Sequence, residues 1–193
     1  MFLHLRNSLA VAFIAGAVVL CSACNVHVRK DSKGEEKNVD IDTPVGGIHV
    51  SNDVDVRDTG LSVYPGARLR TKSEDGNDKQ ANVNISTGFF GLKVVAMEYE
   101  SDDSPAKLTS YYKGQLRKYG EVLECHTHKH GTNAEVHTGN DNDSRLSCED
   151  NGGDTLELKA GTKDNYRLVS IEASGTGTRF ALVRILVRGK DTI

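Results

Sequence analysis

The chain of 193 residues has no tryptophan, only 5 Phe and 6 Tyr, and 3 Pro against 19 Gly. With 37% hydrophobic residues, that mixture excludes collagen-like and wholly disordered chains and fits a strand-rich domain with many turns. The apolar material suffices for one modest core, not two. An excess of one charge is also missing, since 24 Lys and Arg stand against 27 Asp and Glu along the chain. Without a basic stripe to neutralise phosphates, nucleic acid is excluded as a partner. Catalytic signatures are absent as well: no Gly-x-Ser-x-Gly elbow, no His-Glu-x-x-His, no Walker loop and no dinucleotide fingerprint. Gly175-Thr176-Gly177 lacks the third glycine, and no carboxylate pair stands out in an apolar setting. No enzyme is implied.

A long hydrophobic run is lacking too. The longest, Leu9 to Leu20, falls well short of the roughly 20 residues that span a bilayer. Arg6 precedes it and Cys21-Ser22-Ala23-Cys24 follows, so residues 1–23 read as a signal peptide. Its end resembles a bacterial lipoprotein signal, with Ser22 and Ala23 at the two small positions and Cys24 at the lipidated one. Cys21 departs from the usual Leu there, Leu20 standing one place early. The resemblance implies export and a lipid anchor on Cys24 in the bacterial cell envelope, at the outer membrane if the cell is Gram-negative, because Asn25 and not Asp follows. The alternative is an ordinary cut after Ala23, which leaves a soluble periplasmic or secreted protein. Cysteine counting favours the lipid: with Cys21 removed and Cys24 acylated, Cys125 and Cys148 remain as an even pair for a disulfide.

Residues 24–38 are charged, mixed in sign and without periodicity, which predicts a solvated tether. Val39-Asp40-Ile41-Asp42 and Ile48-His49-Val50-Ser51 alternate around a Gly-rich turn, so residues 39–60 read as a short N-terminal β-hairpin segment. The main domain is expected over 61–193. Pro65-Gly66 has type II turn chemistry, and strands are expected near Arg68–Thr71, 81–86 and 92–100. Pro105 and the spacing of Leu108, Tyr111, Tyr112, Leu116 and Tyr119 predict one helix over about 104–119, ended by Gly120. Gly114 inside it suggests a close backbone contact. Strands follow at 122–125, 155–159, 166–173 and 179–188, with Cys148 near the end of another at 146–148. The apolar run 180–187 suits a central strand. The fold class is therefore α+β, a mainly antiparallel sheet with one principal helix packed on it.

Tyr64-Pro65-Gly66-Ala67 followed by Tyr111-Tyr112-x3-Leu116-x3-Gly120 resembles a loose group of uncharacterised exported bacterial proteins and lipoproteins. The likeness covers about residues 61–190 and implies fold and compartment, not chemistry. Residues 39–51 are also similar to strand repeats of bacterial adhesin-like surface proteins.

Four constellations are candidates for function. A Cys125–Cys148 bridge would constrain a polar loop and contribute about 3 kcal/mol. His126, His128 and His130 share one face of an extended strand, and with His137 could close on Zn or Cu. The plainer reading is a solvated loop with no cofactor. The acidic run Asn140–Asp143 fails the EF-hand spacing, because Arg145 takes a ligand position. Phe89 and Phe90 sit at a strand connection, where they either fold under the sheet or contact a partner. The chain is thus expected to be an exported binding or structural module, with the membrane as one partner through its lipid and an envelope protein as another. A metal-binding protein and an enzyme with a site invisible in sequence are the alternatives.

Overall fold

The computed structural model describes residues 24–30, 36–71, 80–128, 144–148 and 152–189. Ten strands build one antiparallel sheet: β1 (Asn25–Lys30), β2 (Glu36–Thr43), β3 (Gly46–Ser51), β4 (Arg68–Arg70), β5 (Gln80–Thr87), β6 (Phe90–Ser101), β7 (Leu123–Thr127), β8 (Thr155–Thr162), β9 (Asn165–Ser174) and β10 (Gly177–Gly189). Helix α1 (Pro105–Leu116) continues into a 3-10 turn at Arg117–Tyr119, and another 3-10 turn at Val56–Thr59 leads towards β4. The strand order is β1-β2-β3-β5-β6-β10-β9-β8-β7, with β4 sharing an edge of β6 with β5. The α+β class with one principal helix is the observed one.

The long pair β6–β10 is the spine of the sheet, in register from Phe90↔Gly189 to Ser101↔Thr178. Because strand side chains alternate between faces, every second residue of β6, β10, β9 and β8 points to one side. Met97, Tyr99, Phe180, Leu182, Val169, Ile171, Leu158 and Ala160 lie there, all buried. Leu108, Tyr112 and Leu116 of α1 close over them and complete the core. Tyr99 stacks on Phe180 at 5.4 Å, and Tyr112 meets Phe180 at 5.6 Å. Fully burying a side chain of this size stabilises by about 1.5–3 kcal/mol.

Pro105 opens α1 where its missing N–H costs nothing, and Ser104 just before it is extended. A strap over residues 60–64 is tied to the helix side by hydrogen bonds. The Tyr64 N–H donates to the Tyr112 hydroxyl at 3.0 Å, and the Tyr111 hydroxyl donates to the Val63 carbonyl at 3.2 Å. Gln115 bonds both backbone groups of Ser62. The expected turn follows the strap, with Ala67 N–H bonded to Tyr64 O at 3.0 Å and Gly66 at φ 77°.

Four expectations need correction. Asn25–Lys30 is strand β1 and not part of a tether over 24–38, because Val26 and Val28 align with Ile41 and Val39 of β2. The hairpin of 39–60 is not a separate unit: β3 pairs with β5 and so belongs to the main sheet. Residues 146–148 form no strand; the disulfide, not a ladder, holds them beside β7. Gly114 makes no close contact, since a Cβ there would meet nothing within 4 Å. The signal peptide at 1–23, the acidic run at 140–143, His130 and His137 lie outside the described residues.

Candidate functional site

The Cys125–Cys148 bridge is formed, with Cα atoms 5.4 Å apart and Cys125 fully buried. Beside it the chain returns so closely that a Cβ on Gly153 would lie 1.8 Å from the Thr127 carbonyl oxygen. Gly153 instead donates its N–H to His126 O at 3.2 Å. As expected, His126 points to the opposite face from Cys125: it pairs with Leu156, while Cys125 pairs with Glu157. His128 follows the strand end, next to Gly152. Among the described residues, no group of three His, Cys, Asp or Glu side chains is placed to hold a metal ion. Phe89 is 69% exposed at the β5–β6 turn, whereas Phe90 opens β6 half-buried. Cys24 is exposed and stands immediately before β1.

Two arginines project from the helix side of the sheet. Arg167 and Arg184 are direct cross-strand neighbours on β9 and β10, in phase with the core residues Val169 and Leu182. Like charges placed so destabilise a sheet unless other contacts offset them. The Arg167 guanidinium lies 4.0 Å from the centre of the Tyr119 ring, and Arg184 donates to the Asp58 carbonyl at 3.3 Å. Both Nε atoms are buried without a hydrogen-bond partner. Burial and then the neighbouring Arg184 lower the Arg167 pKa from its usual value. The pair therefore braces the 3-10 turn at 56–59 and Tyr119 against the sheet.

The largest unexplained feature is on the other face. One cross-strand row runs Val26, Ile41, Ile48, Ile85, Leu92, Val187, and the next runs Val28, Val39, Val50, Val83, Val94, Ile185. Both rows are aliphatic from β1 to β10. Exposure is highest at the β1 edge but uneven along the rows: Ile185 is 3% exposed, Ile48 38%, Val28 44% and Val26 58%, while Val39 and Ile41 of β2 are half-buried. The reverse side of the same strands is polar, with His27, Asp40, His49, Asn84 and Lys93 in one row. There the His49 Nδ1 lies 2.9 Å from Asp40. An antiparallel sheet exposed on one side ordinarily turns its polar face outwards. In this wing, β1 to β3 with β5, the aliphatic face is open as well.

Beyond the wing the same face changes character. Glu98 pairs with Arg70 and lies 3.7 Å from Arg179, and the buried Lys159 pairs with Glu157 at 3.2 Å. Charged pairs close that half of the face, while the wing half has none in its two rows.

Sequence reasoning missed both features, although signals exist for each. Arg184 falls in phase with Phe180 and Leu182, which marks it as facing the core side. The wing rows follow from six strand segments only after the register between them is known. No protein-family model matches the chain, and neither a curated protein nor a solved structure matches it.

Proposed function

We propose that this chain is an exported bacterial envelope protein, lipid-anchored through Cys24, that works as a binding module through the open face of its wing. The observation that carries the binding reading is the pair of aliphatic rows over β1, β2, β3 and β5, which lie outside the core cluster and in which Val26, Val28 and Ile48 are exposed. Water-facing aliphatic surface of this extent marks an interaction site. Export is supported by the Cys125–Cys148 disulfide, which persists in oxidising compartments. The anchor is supported by the exposed Cys24 at the lipoprotein-like position, directly before β1. A lipid there would hold the edge of the wing at the membrane surface.

Intact-mass spectrometry of the protein from its native envelope, before and after reduction, tests the anchor. The expected species begins at Cys24, carries acyl chains and gains two hydrogens on reduction. An unmodified chain that gains none would overturn both the lipid and the disulfide assignment.

A further inference from the structure

We propose that Arg167 and Arg184, with Lys93 beside them, form a binding site for one phosphate group, as the free ion or as the monoester end of a small molecule. The site lies on the helix side of the sheet, opposite the aliphatic rows of the wing. It depends neither on those rows nor on the lipid.

Register separates the charges of this sheet by face. On β5, β6, β8, β9 and β10, the positions in phase with Met97, Leu158, Val169 and Leu182 face the helix side, and none of these described positions holds Asp or Glu. Glu98, Glu100, Glu157 and Glu172 all fall in the opposite phase. The helix side of the same strands carries Lys93, Arg167, Arg184 and Arg188. Arg167 and Arg184 stand directly opposite each other, where paired side chains begin about 5 Å apart. Lys93 is the diagonal neighbour of Arg184 on β6. Among the described residues, no carboxylate forms an ion pair with any of these three.

The two guanidinium heads converge on one turn. Arg184 Nη1 donates to the Asp58 carbonyl at 3.3 Å. Arg167 lies over the Tyr119 ring, and its Nε is 3.4 Å from the place a Cβ on Gly60 would take. Gly60 caps the same 3-10 turn at φ 76°. Both Nε atoms are buried without a partner, so each cation has lost water on that side and gained no anion. Accordingly, burial and then Arg184 lower the Arg167 pKa. Arg167 Nη1 donates to Asn165 Oδ1 at 3.0 Å. The Nη2 groups of both arginines have no hydrogen bond among the described residues and are not buried, which leaves them as donors for a ligand.

Bracing the turn explains the stack on Tyr119 and the bond to Asp58, but not the pairing of two like charges, which works against a brace. An anion between the heads turns that repulsion into attraction. Phosphate matches them in charge and shape. On a monoester it carries about −1.5 to −2 charges near neutral pH and three acceptor oxygens. A planar guanidinium donates two parallel N–H bonds to such a group, and the Tyr119 stack fixes the plane of Arg167. A carboxylate brings one charge and two oxygens, which leaves one arginine unmatched. A nucleic-acid backbone needs a row of such sites, and three neighbouring cations supply one.

The test titrates the full chain, disulfide intact, with inorganic phosphate and with glycerol 3-phosphate at constant ionic strength, followed by calorimetry. Acetate serves as the carboxylate control. Saturable phosphate binding is expected, weakened on the order of tenfold by Arg184→Gln and about threefold by Lys93→Gln. Gln at position 184 keeps an amide donor for the Asp58 carbonyl. Lys93→Gln removes no hydrogen bond or ion pair among the described residues, so it reports on the site even where the other variant does not fold. Tighter binding of glycerol 3-phosphate would identify a monoester as the ligand, and equal or tighter binding of inorganic phosphate the free ion. Three results would each overturn the site. One is no saturation by about 10 mM of either probe, well above a weak specific affinity. Another is an equal affinity for acetate. The third is wild-type phosphate affinity in either variant that folds.

Discussion

The two halves of this sheet are made alike and finished differently. In the half that carries α1, one face is sealed by Leu108, Tyr112 and Leu116 and the other is closed by charged pairs and by the disulfide. In the wing the same strand alternation produces an aliphatic face of equal regularity, and among the described residues no helix lies on it. Alternation thus specifies a strand and its two faces, but not what covers them. Covering is a property of the whole sheet and of what packs on it.

The sharpest break between the halves should come from matched truncations. Leu108→Ala removes a fully buried side chain from the helix face, and a loss of about 2–5 kcal/mol is expected. Val50→Ala on the half-buried wing should cost less than about 1 kcal/mol in the isolated protomer, since little cavity is left there. Urea melts followed by circular dichroism measure both. Comparable losses would mean that the wing face is already packed in solution, against whatever the wing binds.

Next in size is the staple. Cys125 and Cys148 are 23 positions apart, and the chain-entropy estimate for such a loop is about 3 kcal/mol. Replacing both by Ser should lower stability by about that amount, with Cys125 adding the cost of a hydroxyl at a fully buried position. Hydrogen exchange locates the loss: β7 and β8 should lose protection while β2 and β3 keep theirs. Equal loss in both would show that the wing unfolds together with the helix-backed half.

How much of this was legible in the sequence follows the same division. The helix, the Pro65-Gly66 turn, the disulfide pair and most strands announce themselves locally, through spacing, turn chemistry and cysteine parity. The β1 strand did not, because Val26 and Val28 sit among Arg29, Lys30 and Asp31 and gain their meaning only from pairing with Ile41 and Val39. The wing face was illegible for the same reason. Each of its segments contributes two residues, and only the register lines them up. Arg167 and Arg184 likewise look like ordinary surface charges until the β9–β10 register sets them side by side. Non-local pairing is the information a strand-by-strand reading lacks.

Gly114 gives the smallest and cleanest comparison. A glycine in a helix interior costs about 1 kcal/mol relative to alanine through the entropy of the unfolded chain. From the sequence alone, the natural explanation is that something approaches the helix too closely for a side chain. Instead Gly114 is exposed, has no positive φ, and would place a Cβ in open space. Gly114→Ala should therefore stabilise the protein by about 1 kcal/mol, a rise of about 3 °C in Tm for a domain of this size. The gain belongs to the helix-backed half, so exchange protection should rise in α1 and β9 and stay level in β2 and β3. A fall in Tm would mean that the helix backbone at this position is approached by a partner in the folded state, and the wing would then have a rival as the contact surface.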